Sequence, residues 1–370
     1  MLGMSVMDSC LDPYTAPAVL THTNFLVVEG FLSDESGPSV IGLSRTTTLA
    51  SGDVRVPERL AIVEIQDDQG GTTPLRETSP GYYSSPPLTI DPGKNYRLKI
   101  KTMGNKEYSS DFVPFKQTPV IDSVTWAIDG NDLRIYANAH DDNNSTHYYL
   151  WKYEETWAYH SAYPSQFKFE KGQIILRGLD DIFHCWKTVS STQIQIASST
   201  ALAKDFISEH TVATLRLTSE KIQSEYSMML HQYALTKDAF EYWQQLKKNT
   251  ENIGTIFGPQ PSQIVSNIRC TTNPEEPVVG FFSACAMQQK RVFILSADLP
   301  RTRHDTGYEN CEQDTLFLAQ VPGFKGGELI TTAVLEGTPP ITLVGYLKSS
   351  FFCVDCRLYG GTTVMPDFWK

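Results

Sequence analysis

No cysteine falls between residues 11 and 184, and no apolar run approaches the roughly 18 residues a helix needs to cross a bilayer. Basic stripes are missing too. The formal charge is −11, and the nearest cluster, Lys247-Lys248, sits inside a mixed helical segment where it solvates the outer face. A protein that tracks phosphates needs the opposite balance, so nucleic acid is excluded as a partner. Signatures of an activated nucleophile or a zinc protease are absent: there is no G-x-S-x-G and no H-E-x-x-H. The eight histidines are scattered, with none at metal spacing from another, so no metal and no cofactor is expected. His140, His147 and His184 read as ordinary surface or core residues.

What is present describes an exported β protein. With 370 residues, 41% hydrophobic and 20% charged, the chain is long enough for two or three globular domains. Its seven cysteines stand at 10, 185, 270, 285, 311, 353 and 356. Setting Cys10 aside leaves Cys185, Cys270, Cys285, Cys311, Cys353 and Cys356, enough for three bridges of undetermined connectivity. Such bridges persist in oxidising compartments. Cys353-x-x-Cys356 admits a redox pair, half of a zinc site with Cys270 and Cys285, or membership of the disulfide framework. The framework is favoured, because no βαβ unit and no second close pair accompany it. At the N-terminus, Ser9-Cys10 with apolar residues before it and a Pro-rich stretch after it resembles a lipoprotein cleavage site, which makes Cys10 the expected lipid anchor.

Residues 24–117 read as short strands separated by Gly/Pro turns. Ala61, Val63 and Ile65 alternate with Ile62 and Glu64, and Tyr96, Leu98 and Ile100 alternate with Arg97, Lys99 and Lys101. A second β region, 118–370, follows a polar link between Pro114 and Pro119. Its one helix is expected over about 236–252, with Thr236 as N-cap and Ala239, Phe240, Trp243 and Leu246 at helical spacing. The fold class predicted is mainly β: tandem immunoglobulin-like or fibronectin-like antiparallel β-sandwiches with a helix inserted in the second. Residues 1–23 are a signal remnant, the Cys10 lipobox and an extended linker. The loop Asp141-Asp142-Asn143-Asn144 is read as a hairpin turn and not as a calcium site. The aromatic strand offers Tyr149, Trp151, Tyr153 and Trp157 as a binding face, unless a second sheet covers it. The terminal Pro366-Asp367-Phe368-Trp369 carries two large aromatics, which are expected to dock on the protein's own body.

The C-terminal half carries a resemblance. Gln232-Tyr233-Ala234-Leu235-Thr236, Tyr242-Trp243, Lys248-Asn249-Thr250-Glu251 and Phe257-Gly258-Pro259-Gln260-Pro261-Ser262 occur in order. Val279-Gly280-Phe281-Phe282-Ser283-Ala284, Cys353-Val354-Asp355-Cys356 and Pro366-Asp367-Phe368-Trp369 continue the series. With Cys10-Leu11-Asp12-Pro13-Tyr14 and Val27-Val28-Glu29-Gly30, these resemble the Bacteroidota outer-membrane lipoproteins of domain-of-unknown-function family 4249. That resemblance implies a lipid-anchored outer-membrane surface protein without catalysis. It would serve as an accessory or ligand-capture subunit of a TonB-dependent, SusC-like barrel transporter. A free-standing glycan- or protein-binding adhesin is the alternative reading, and a hydrolase without a readable motif is a third.

Overall fold

The computed structural model describes residues 24–33, 37–47, 55–251 and 265–369. The expected anchor Cys10 lies outside the described residues. Nine strands come first: β1 (Leu26–Leu32), β2 (Val40–Arg45), β3 (Val56–Pro57), β4 (Ile62–Asp67), β5 (Thr72–Ser79), β6 (Tyr82–Ser84), β7 (Asn95–Lys101), β8 (Glu107–Ser110) and β9 (Val113–Lys116). Another nine follow: β10 (Ile121–Asp129), β11 (Asp132–His140), β12 (Tyr148–His160), β13 (Phe167–Glu170), β14 (Gln173–Leu176), β15 (His184–Ser190), β16 (Gln195–Ser198), β17 (Phe206–Arg216) and β18 (Glu225–Ala234). Helix α1 (Lys237–Glu251) then precedes β19 (Ile268–Cys270), β20 (Val278–Gly280), β21 (Ser283–Cys285) and β22 (Met287–Leu295). The chain closes with β23 (Asp314–Phe317), β24 (Leu329–Glu336), β25 (Thr342–Ser349) and the short helix α2 (Phe351–Val354). The protein is mainly β with antiparallel sheets, as expected. Helix α1 matches its predicted span, and the Ala239 N–H donates to the Thr236 hydroxyl at 3.2 Å, as an N-cap should.

The N-terminal strands do not form the expected sandwich. They close into an eight-stave barrel in the order β7-β4-β5-β6-β2-β1-β21-β9, returning to β7 through Asn95↔Pro114 and Tyr96↔Val113. Period-two alternation cannot separate one sheet curled onto itself from two facing sheets, because both bury one face of each strand. Nor could it reveal that the eighth stave comes from far along the chain. Segment 278–285 runs parallel to β1, pairing Leu26↔Val278 through Val28↔Gly280 and then Phe31↔Ser283. Between these two stretches the Asn267 amide replaces a strand partner: it donates to the Phe282 carbonyl and accepts the Phe282 N–H, each at 2.9 Å. Gly280 is required at this seam. Its φ is +135°, and a Cβ there would collide with the Val28 carbonyl.

The second unit has two sheets facing each other: β10-β11-β17 against β15-β12-β18-β22, with β16 also paired to β12. Leu133, Ile135 and Val212 of one sheet meet Trp151, Tyr226 and Met228 of the other. The opposite face of β12 is covered by α1, where Leu150 packs with Ala239 and Tyr242. The same cluster takes in Phe31 and Phe281 of the barrel, so the helix is a wedge between the two units. The Lys152 ammonium lies 5.2 Å from the Phe31 ring and 5.5 Å from the Trp243 ring, and burial lowers its pKa. Thr118, buried in the link, donates to the Ala286 carbonyl and accepts the Ala234 N–H.

At the far end of β12 a small cap is stapled on. Strands β23-β25-β24 and the β13–β14 hairpin are held by disulfides Cys185–Cys356 and Cys311–Cys353. The Tyr159 hydroxyl donates to the Cys356 carbonyl at 2.8 Å, and the Ser161 hydroxyl to that of Val354 at 2.9 Å. Of the six candidates, Cys270 and Cys285 belong to neither bridge. They are buried in β19 and β21 within different apolar clusters, so their thiols do not meet. The tail docks on its own body: Trp369 is buried edge-on against Phe293 at 5.7 Å, and the Arg291 guanidinium lies 3.5 Å from the Phe368 ring centre.

Residues 24–117 alone lack the eighth stave, so the isolated segment should show no cooperative melting transition by circular dichroism. A sharp melt of that segment would refute its dependence on residues 278–285.

Candidate functional site

The aromatic strand proves to be core. Tyr149, Trp151, Tyr153 and Trp157 are all buried, with exposures of 8% or less, because these alternate residues share the face of β12 that the opposing sheet covers. Their polar atoms are spent internally. The Trp151 indole N–H donates to the Gln232 side-chain carbonyl at 2.9 Å, and the Tyr149 hydroxyl donates to the Asp205 carboxylate, which also accepts the Ser199 hydroxyl. Burial first, then the hydrogen bond to Asp205, pushes the Tyr149 phenol far above its ordinary range. Glu155, on the same strand, pairs with Lys221 and accepts from the Tyr226 hydroxyl at 3.1 Å. Nothing in this set faces a substrate.

The remaining candidates also resolve into structure. Asp141 accepts the backbone N–H groups of Asn143, Ser145 and Thr146 and the Ser145 hydroxyl, which holds its carboxyl down at about 2 despite the opposing pull of burial. Its oxygens are thus occupied in turning the chain. His140 pairs with Asp122 at 2.8 Å and His184 with Asp181 at 2.8 Å, both at the surface, while His147 meets the Ser199 hydroxyl at 3.3 Å. One Ser-x-x-Lys spacing does occur, at Ser165 and Lys168. The Ser165 hydroxyl donates to the Ile330 carbonyl at 2.6 Å, and Lys168 pairs with Glu170 at 2.9 Å, so the serine is not an activated nucleophile. No group of three or more metal-ligating side chains occurs among the described residues.

The open surface lies on the cap. One face of its sheet is covered, where Phe167 of β13 meets Tyr346 of β25 at 5.2 Å. The other face follows from the register. Phe317↔Gly345↔Val334 and Leu335↔Leu343 are directly paired, so their side chains share a side, and Leu347 joins them two residues beyond Gly345. Gly345, itself buried, lets β23 approach closely, since a Cβ there would meet the Leu316 carbonyl. Phe317 is 52% exposed and Leu335 58%, with Leu318 and Ile341 exposed beside them. Typical side-chain areas make this roughly 300–400 Å² of open apolar surface, in the range where the largest patch of a soluble protein is often functional. The sequence signal was available in Thr342–Ser349 (TLVGYLKS), where Leu343, Gly345 and Leu347 recur at period two, but alternation does not tell which face stays uncovered.

Comparison with known proteins adds one assignment. A family model described as a domain of unknown function (DUF4249) matches residues 12–291, a span that holds the barrel, β12 and α1 but ends before strands β23–β25 of the cap. No curated protein matches the chain. A crystal structure of a DUF3823 family protein from Bacteroides ovatus is similar at 11% identity, covering 56% of this chain and 90% of that one with a TM-score of 0.15, too small an overlap to carry an argument.

The buried core carries a pH dependence. His210 stacks on Trp151 at 4.7 Å with its Nε2 buried and unpartnered, and burial, then the charge of Lys247, push it down to about 4. The unfolded chain takes up this proton below about 6.5, the folded chain only near 4. Stability is therefore complete above the unfolded value and is lost as pH falls through that window. Lowering pH from 7 to 5 should cost roughly 2 kcal/mol through this group alone, read as urea-unfolding free energies. His210→Phe should flatten that slope, and an unchanged slope would clear His210.

Proposed function

The chain belongs to the domain-of-unknown-function 4249 family, and on that premise we propose that it is a lipid-anchored outer-membrane surface protein, a non-enzymatic accessory subunit of a TonB-dependent barrel transporter. The observation that carries the reading is the open face of the cap, with Phe317, Leu318, Leu335 and Ile341 exposed on a disulfide-stapled unit. Apolar centres with aromatic anchors are what protein partners engage. The two disulfides suit an oxidising compartment, as an exported protein requires. The central sandwich, read here as immunoglobulin-like, then acts as a spacer. Strand β12 has 13 residues, and at about 3.3 Å each it holds barrel and cap roughly 43 Å apart.

Two experiments test this. Cys10→Ala, expressed with a complete signal peptide, should move the protein from the membrane to the soluble fraction, and unchanged membrane partition would remove the anchor. Phe317→Asp with Leu335→Asp should abolish recovery of a large barrel protein from detergent-solubilised outer membranes while leaving the melting temperature in place. Recovery of the barrel by the double variant would show that the cap is not the interface, and failure of the unaltered protein to recover any barrel would favour the free-standing adhesin.

A further inference from the structure

The barrel end remote from the sandwich carries a second exposed apolar group that the reading above leaves unused. Ile62 begins β4 and pairs with Lys101 at the end of β7. Leu60 precedes it, and Met103 stands in the turn after β7. These three side chains are 60%, 64% and 72% exposed. Leu60 is also held in a conformation that a branched aliphatic residue avoids, with φ at +56°. Hydrogen bonds fix it there: the Leu60 N–H donates to Glu77 at 2.9 Å, and the Tyr83 hydroxyl accepts the Ala61 N–H at 2.9 Å while donating to the Glu58 carbonyl at 2.8 Å. A strained leucine kept pointing into water, where no internal packing rewards it, suggests a role outside the fold.

The N-terminal segment enters at the same end. Arg45 donates to the Asn24 carbonyl at 3.1 Å and pairs with Glu58 at 2.5 Å and Glu276 at 3.3 Å, and Lys106 pairs with Glu276 at 2.5 Å. Asn24 is thus tied to the segment carrying Leu60 and to the hairpin carrying Met103. The far end of β1 points the other way, with Phe31 stacked on Tyr233 at 4.6 Å at the sandwich junction. Around the apolar tips, Arg59, Arg97, Lys99, Lys101 and Lys106 interleave with Glu64, Glu77, Glu107 and Glu276. That is near balance in a chain of net charge −11, so this end escapes the repulsion that an anionic bilayer would exert on the rest of the surface.

We infer that Leu60, Ile62 and Met103 form a seat that inserts into the head-group region of a lipid bilayer and sets the protein upright on its anchor. The inference rests on the anchor reading for its occupant, because the chain leading back to Cys10 leaves from this end. Its test is independent of acylation. The full chain with Cys10→Ala and an N-terminal hexahistidine tag is tethered to vesicles of phosphatidylethanolamine and phosphatidylglycerol doped with a nickel-chelating lipid. An environment-sensitive dye is placed at Met103→Cys or, in a separate sample, at Leu335→Cys. The Met103 dye should shift to the blue on tethering and be quenched by bilayer-borne doxyl lipid at least about fivefold more than the Leu335 dye, as shallow insertion requires. Leu60→Asn with Ile62→Asn should abolish that shift without changing the melting temperature. A Met103 dye that stays in water, or equal quenching at both positions, overturns the seat. Failure of the anchor would appear separately, in the fractionation of Cys10→Ala.

Discussion

A barrel has no edge only if every stave is present, and residues 24–117 supply seven of the eight. The gap between β1 and β9 would otherwise expose two rows of unpaired backbone N–H and C=O groups. It is filled by a detour. Strand β18 and strand β22 are neighbours in the sandwich, and the chain between them leaves, lays α1 into the junction, contributes β19, β20 and β21 to the barrel, and returns. One excursion therefore satisfies the barrel's hydrogen bonds and fastens it to the sandwich. Thr118 and Asn267 complete the joint, each substituting a side chain for a missing backbone partner.

Strand β12 follows from this arrangement. One face of the strand lies against the facing sheet and loses water along its length, while the other is covered by α1 only around Leu150 and carries Lys152 and Glu154 beyond it. That is why Tyr149, Trp151, Tyr153 and Trp157, alternate residues on the sheet-facing side, are all large and buried. The cost of burying polar atoms among them is met in pairs: Tyr149 with Asp205, Trp151 with Gln232, Glu155 with Lys221. His210, against Trp151, is one residue whose Nε2 is left buried and without a partner.

Local pattern was legible in the sequence wherever one residue type had one structural meaning. Thr236 capped the helix, Leu98 and Ile100 faced inward, and Asp141 turned its loop. Cysteine arithmetic anticipated bridges in the C-terminal region, but pairing is a three-dimensional property, and two of the six candidate thiols fall in separate cores. What sequence could not supply was what covers each surface. The aromatic run of β12 reads as a binding face unless a second sheet covers it, and the milder Leu343-Gly345-Leu347 alternation of β25 draws no reading at all. Cover is set by elements distant in sequence: β17 and its sheet lie over the aromatic face of β12, while one face of β25 has only its own neighbours β23 and β24.

The two uncovered apolar groups stand at opposite ends of a body with few degrees of freedom. The barrel is closed, the wedge helix is packed on both units, and the cap is held by two disulfides and by backbone carbonyls that accept from Tyr159 and Ser161. A flexible chain between two such groups would let them collapse onto each other, since apolar surfaces in water gain free energy by meeting. Here β12 forbids that contact by its length and by its place inside a five-stranded sheet packed on a second one. Rigidity is therefore the condition for leaving both ends apolar, and it removes most of the ordering cost that an interface at either end would otherwise bear.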